Sequence, residues 1–295
     1  MTLIDILLPF YGDVDYMHLA VQSVLEQTDD DWRLTVVDDN YPDPSVATWF
    51  ASLADPRVHY TRNSTNLGAN ANYRRALGMA TAPWVVVMGA DDLMLPHYVA
   101  TLRRLTSKWP SATVFQPGVE VVDGSGAVTA PLADRVKAAL APRTVGTRQL
   151  AGEELSASLL RANWTYFPSL CWRRDVVASI GFRPGLDVVQ DLALLLDVVV
   201  TGGVLVVDHE PAFHYRRHSG SDSALRAATG RRFDEERAFF RAAARDARAR
   251  GWERAARAAR WHLTSRLNAA SLLSRALSRR DWTSVAVLLR HALAA

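Results

Sequence analysis

Through the first hundred residues short apolar runs alternate with helical patterns, and this alternation constrains the fold more than any other feature. Residues 3–8, 32–37, 57–61 and 84–88 each read as a buried strand closed by Pro, Asp, Asn or Gly. Between them Met17, Ala20, Val21, Val24 and Leu25 recur at helical spacing, and Tyr73, Ala76, Leu77 and Ala80 repeat the pattern. Strands that are apolar along their length and separated by helices predict an α/β fold, with a mostly parallel central sheet and helices on both faces. Ligands of such sheets gather at the carboxyl ends of the strands. Polar clusters stand at those ends here: Pro9-Phe10-Tyr11, Asp38-Asp39-Asn40 and Gly89-Ala90-Asp91-Asp92.

Beyond Leu105 the pattern loosens. Residues 113–122 predict a strand, 127–150 a loop-rich excursion, 153–161 a helix, 166–172 a strand, 190–200 a helix and 204–207 a strand. From Arg231 the chain turns to arginine- and alanine-rich helix. Trp252, Ala256, Ala259, Leu263, Leu267, Ala270, Leu273 and Leu277 form one stripe, and Asp281 caps a last helix. The expected organisation is an α/β domain over 1–225, divided into halves 1–105 and 106–225, and a C-terminal helical extension over 226–295.

Hydrophobic residues make up 49% of the chain, enough for a sizeable core and too many for a disordered one. Ten arginines fall between residues 231 and 260, but acidic residues interleave with them and no nucleic-acid module is visible, so a nucleic-acid partner is not expected. The apolar side of these helices is expected to pack on the α/β domain or form a homodimer. Peripheral contact with anionic lipid is the further option. The one cysteine, Cys171, lies in an apolar stretch and reads as structural, consistent with a reducing compartment. Residues 188–200 contain Gln190, Asp191 and Asp197 and are too short to span a bilayer, and no basic leader opens the chain. The expectation is a cytoplasmic protein, soluble or peripheral at the inner face of the membrane.

Two carboxylates side by side at a strand end repel each other, and a hard divalent cation relieves that repulsion. The competing account of Asp91-Asp92 is a strand-to-helix turn in which Asp92 caps the following helix. Adjacent aspartates such as Asp38 and Asp39 can likewise bind a ligand or satisfy loop amides.

Met88-Gly89-Ala90-Asp91-Asp92-Leu93-Met94-Leu95-Pro96 resembles the metal-binding segment of glycosyltransferase family 2, the inverting enzymes of GT-A fold. Further segments resemble the family in its own order: Leu7-Leu8-Pro9-Phe10-Tyr11, Ser23-Val24-Leu25-Glu26-Gln27-Thr28, Val36-Val37-Asp38-Asp39-Asn40, Asn66-Leu67-Gly68-Ala69-Asn70, Gln190-Asp191 and Tyr215-Arg216-Arg217-His218-Ser219-Gly220-Ser221. The resemblance covers about residues 3–225. It implies transfer of a sugar from a nucleotide-diphosphate donor, with uracil the expected base, to an acceptor hydroxyl on a glycan, lipid-linked molecule or natural product.

The resemblance also implies roles. Asp91 and His218 would hold Mg²⁺ or Mn²⁺. Pro9, Tyr11, Asp38, Asp39, Asn66, Gly68, Asn70, Asp92 and Arg217 would contact the nucleotide-sugar. Asp191 would be the general base, with Trp164, Tyr166, Trp172 and Gln190 on the acceptor side. The chain departs from the family at Gly89, where an aspartate is usual, and at Gln190, where a glutamate is usual. Those departures keep a catalytically inactive sugar-nucleotide-binding module as an alternative. A sugar nucleotidyltransferase fits less well, since Pro9-Phe10-Tyr11-Gly12-Asp13 lacks a glycine-rich basic loop, and a Rossmann dehydrogenase would need a Gly-x-Gly-x-x-Gly after the first strand.

Overall fold

The computed structural model describes residues 4–142, 146–218, 231–278 and 280–293. Leu3, Ser219, Gly220, Ser221 and the expected domain boundary at 225 lie outside the described residues. The four early apolar runs form β1 (Ile4–Phe10), β2 (Trp32–Asp38), β3 (Val58–Arg62) and β4 (Trp84–Val87), paired in parallel in the order β3-β2-β1-β4. The helices α1 (Val14–Leu25), α2 (Ser45–Ser52) and α3 (Ala69–Leu77) connect them.

Every residue of β1 is buried because both sheet faces are covered. Ile6, Leu8 and Phe10 pack with Met17 and Val21 of α1, whereas Leu7 faces the opposite core with Val37, Val85 and Val87. Asp5 survives inside this run because Arg33 pairs with it at 2.6 Å and the Thr81 and Ala82 amides donate to its other oxygen.

The second half continues through β5 (Leu93–Met94), α4 (Tyr98–Lys108), β6 (Val114–Val122), α5 (Leu132–Leu140), β7 (Arg148–Ala151), α6 (Gly152–Arg161), β8 (Cys171–Arg173), α7 (Arg174–Ile180), α8 (Gln190–Val200) and β9 (Val204–Arg216). The sheet extends as β4-β8-β6-β9-β5, with β7 also on β9. Here β6 and β9 are parallel, while β8, β5 and β7 pair antiparallel with their neighbours.

Several expectations need correction. The strand expected over 166–172 is confined to Cys171–Arg173, because Pro168 lacks a ladder donor and a 3₁₀ turn, Phe167–Ser169, precedes it. The excursion over 127–150 contains α5 and β7. β9 runs well past 207, its polar middle having concealed it. The stripe expected from Trp252 to Leu277 is cut at His262, whose φ is +27°, separating α10 (Glu253–Trp261) from α11 (Leu263–Ser278). Ala256 and Ala259 therefore join the main core with α9 (Arg231–Ala249), whereas Leu263 and Leu267 face water. α12 (Trp282–Leu293) folds back on α11, with Asp281 accepting from the Ser284 amide at its start.

Candidate active site

Parallel register brings the expected strand ends together. Phe10 lies opposite Asp38 and Leu7 opposite Val87, so the segments following β1, β2 and β4 share one edge of the sheet. After β4 the chain turns through Gly89-Ala90-Asp91-Asp92 and enters β5, where Leu93 pairs antiparallel with His214 of β9. That pairing aligns the two aspartates with the end of β9. The Arg216 amide donates to Asp92 Oδ1 at 2.8 Å, and its Nε donates to the Asp91 carbonyl at 2.8 Å. Two residues further, His218 Nε2 lies 2.8 Å from Asp91 Oδ2. The Tyr16 ring, from the first turn of α1, packs on His218 at 4.7 Å between centroids.

The two aspartates differ sharply in environment. The Asp91 side chain is one-third exposed, at 33%. Asp92 is buried at 1% exposure, and burial, then the neighbouring Asp91 charge, push its carboxyl well above the ordinary carboxylate range. Its Oδ2 has no hydrogen-bond partner among the described residues. A Cβ built at Gly89 would lie 2.4 Å from that oxygen. The Asp92 carboxyl thus occupies the volume that an acidic side chain at position 89 would need. Asp92, expected from the resemblance to contact the donor, is buried, and it does not cap α4, whose N-cap is His97. It ties the Asp91 turn to β9.

Asp38 and Asp39 are spent on the protein. Asp38 accepts from the Tyr41 amide at 2.6 Å and from the Tyr60 hydroxyl. Asp39 accepts from Asn63 Nδ2 at 2.7 Å and from the Leu67 and Gly68 amides at 2.8 Å each. With exposures of 1% and 2%, both are buried, Asp39 shaping the loop over 63–68 and Asp38 holding Tyr41 and Tyr60. Gly68 has φ +81°, the left-handed region glycine favours, and Asn66 Oδ1 accepts its amide at 3.0 Å. Pro9 is buried in β1, whereas Tyr11 is exposed and sits edge-on to Tyr41 at 5.6 Å. The Ser23-to-Thr28 signature also has a mechanical role: Gln27 donates to the Leu95 carbonyl at 2.8 Å and accepts the Val99 amide at 3.0 Å, fixing the chain just after Asp92.

On the other side, Asn70 Nδ2 donates to Gln190 Oε1 and to the Leu186 carbonyl, each at 2.8 Å, linking α3 to the start of α8. A buried glutamine serves this bridge as well as a glutamate would. Asp191 is partly exposed. Its Oδ2 accepts from Asn163 Nδ2 at 3.1 Å, and Asn163 Oδ1 in turn accepts the Thr165 hydroxyl at 2.9 Å.

Trp164 and Trp172 are core residues, buried at 3% and 1%, because the helices α6 and α8 close over them, so neither presents a face to an acceptor. Tyr166 is half-buried and donates to Asp134 Oδ1 at 3.1 Å. Arg217, expected on phosphate, forks onto Asp134 at 2.8 and 3.1 Å. Asn163, Asp134 and Tyr16 escaped sequence reasoning, since none belongs to a spaced motif and each gains its partner by tertiary contact.

The donor set fits one divalent cation. A carboxylate and an imidazole 2.8 Å apart match adjacent corners of an octahedral shell, whose edge is about 3 Å for metal–oxygen bonds near 2.1 Å. An imidazole beside a carboxylate suits Mn²⁺ somewhat better than Mg²⁺. Among the described residues no group of three or more His, Cys, Asp or Glu gathers at a metal-sized site. A cation here would draw its other ligands from phosphate and water.

A parallel half joined to a mixed half, with acidic residues at the strand ends, is the arrangement of the GT-A class of transferase folds. The family model described as glycosyl transferase family 2 matches residues 5–131, so the resemblance read from the sequence is borne out over that segment. Similar proteins include MT1568 of Mycobacterium tuberculosis, 26% identical over 243 residues, 78% of this chain and 72% of that one. The succinoglycan biosynthesis protein ExoO of Rhizobium meliloti is 26% identical over 73% of this chain and 61% of its own length. Among solved structures, S. aureus TarS 1-349 in complex with UDP-GlcNAc matches with a TM-score of 0.70 at 14% identity, over 98% of this chain and 81% of that one, a likeness of fold.

Proposed function

We propose that this glycosyltransferase is an inverting enzyme that moves a sugar from a nucleoside-diphosphate donor, UDP-linked, to an acceptor hydroxyl. The observation that carries this reading is the Asp91–His218 pair at the carboxyl edge of the parallel strands, with the Asp91 side chain one-third exposed. Asp91 and His218 would hold a divalent cation, which would supply charge neutralisation for the departing diphosphate. TarS, which shares the fold, was crystallised with UDP-GlcNAc and with UDP, and supports the choice of donor class.

Asp191 is the general base of this reading. Asn163 orients its carboxylate by donating to Oδ2, leaving that oxygen's second lone pair for the acceptor proton. As the acceptor oxygen bonds to the anomeric carbon, its proton passes to Asp191. The bond from that carbon to the diphosphate breaks on the opposite face, so configuration inverts. The loop over 63–68, anchored by Asp39, and the exposed Tyr11 ring would border the nucleoside. Gln190 in place of glutamate does not count against turnover in this reading, because its side chain is engaged with Asn70.

The test is turnover of UDP-sugars with Mn²⁺, read as UDP release, in the wild type and in Asp191→Asn. Release that disappears in the variant, while UDP still binds, is the expected result. UDP-sugar binding without turnover by the wild type for every donor and acceptor tried would favour the inactive binding module instead.

A further inference from the structure

Sugar transfer leaves the outer faces of the last two helices unexplained. On α11, Leu263, Leu267 and Leu277 are exposed, Leu267 to 58%. At about 100° per residue they fall, with Ala270, within about 80° of arc. On α12, Trp282 and Leu293 are exposed to 67% and 75%, and Leu289 to 42%. With Ala286 these span about 60° of arc. The other sides of both helices are already satisfied, since Ala269, Ala276, Val285 and Leu288 form one buried cluster with Phe233. A helix facing water ordinarily turns polar residues outward, so two apolar outer stripes call for a covering surface.

Charge identifies what covers them. Between residues 253 and 293 the sequence holds eight arginines, no lysine and only two acids, Glu253 and Asp281. A second copy of the chain would bring two segments of the same positive sign together, which repel. An anionic bilayer surface offers apolar depth to the leucines, an interfacial layer to Trp282, and negative headgroups to the arginines. No helix among the described residues is long and apolar enough to cross a membrane, so the contact would be superficial. We propose that α11 and α12 dock flat on the anionic face of a lipid bilayer, inserting Leu267, Trp282 and Leu293. The proposal stands apart from the donor chemistry.

The test is co-sedimentation of the full chain with phosphatidylcholine vesicles, with and without phosphatidylglycerol, beside a combined Leu267→Ser, Trp282→Ser, Leu293→Ser variant. All three side chains are exposed, so the fold should persist by circular dichroism. The expected result is binding to the anionic vesicles, weakened by salt, and reduced roughly tenfold or more in the variant. Absence of binding, equal binding to neutral vesicles, or binding unchanged in the variant overturns the proposal. So does a dimer in light scattering that the same substitutions dissociate. If the combined variant misfolds, Trp282→Phe decides: the vesicle-induced blue shift of wild-type fluorescence must shrink in it, and an undiminished shift overturns the idea. UDP binding, measured alongside, should be unaffected.

Discussion

His218 Nε2 and Asp91 Oδ2 stand 2.8 Å apart although 127 positions separate them in the chain. The short ladder between β5 and β9 accounts for the meeting, because it sets Leu93 opposite His214 and delivers both residues to the same edge. Two protein donors hold a hard cation weakly by themselves.

Mn²⁺ should therefore bind feebly to the protein alone and much more tightly when UDP is present. Calorimetric titration with and without UDP checks this. Asp91→Ala and His218→Ala should each lower UDP release by roughly 10²–10³-fold without altering circular dichroism, and excess EDTA should abolish it. Full activity in EDTA would end the metal reading.

Restoring the family's usual acid at position 89 should harm this chain. A Cβ there would press within 2.4 Å of the buried Asp92 oxygen, so Asp92 must leave its place on the Arg216 amide. Urea denaturation should find Gly89→Asp destabilised by about 1–3 kcal/mol, and Gly89→Ala affected in the same direction.

Asp191→Asn should reduce turnover by about 10²–10⁴-fold with UDP affinity kept. Asn163→Ala should lower kcat more mildly, since it orients the base through a hydrogen bond of 3.1 Å. Equal losses in KM alone for both variants would point to substrate binding instead.

Arg217 and Asp134 form a forked, largely buried pair, so their effects should not add. A double-mutant cycle with Arg217→Ala and Asp134→Ala, read by urea denaturation, should give a coupling of about 1–3 kcal/mol. An Arg217 serving donor phosphate would instead alter UDP affinity while leaving Asp134→Ala silent.

The C-terminal helices should weaken in acid. Burial pushes the His291 imidazole down to about 4, below its ordinary 6.5, even though Glu236 nearby favours its charge. The unfolded chain then takes up this proton first, so the contribution is complete above pH 6.5 and is lost as pH falls toward 4. Stability measured across that window should fall less steeply in His291→Gln, which can still meet the Ser265 hydroxyl that lies 2.7 Å from the imidazole.

The parallel half was legible because its signals are local. A run such as Ile4–Phe10 must be buried on both faces to be apolar throughout, and Met17 to Val24 can bury one stripe only as a helix. β9 was legible only at its start, since Asp208, His209, Glu210 and Pro211 interrupt its apolar pattern, and long-range pairing with β6 overrides that. The break at His262 carried no glycine or proline to announce it.

At the site, sequence order by itself determined which residues stand at strand ends: Asp38, Asp39 and Asp91, with Asp191 opening α8. The family pattern drew attention to His218. Tertiary structure alone decided which of these face outward. Asp39 turned inward because the loop over 63–68 offered amides that needed acceptors, Asp38 because the Tyr41 amide and Tyr60 hydroxyl did, and Asp92 because glycine at 89 left it room. Identity and spacing place a carboxylate along the chain; whether its oxygens are free for a ligand depends on donors brought from distant segments, which no local pattern records.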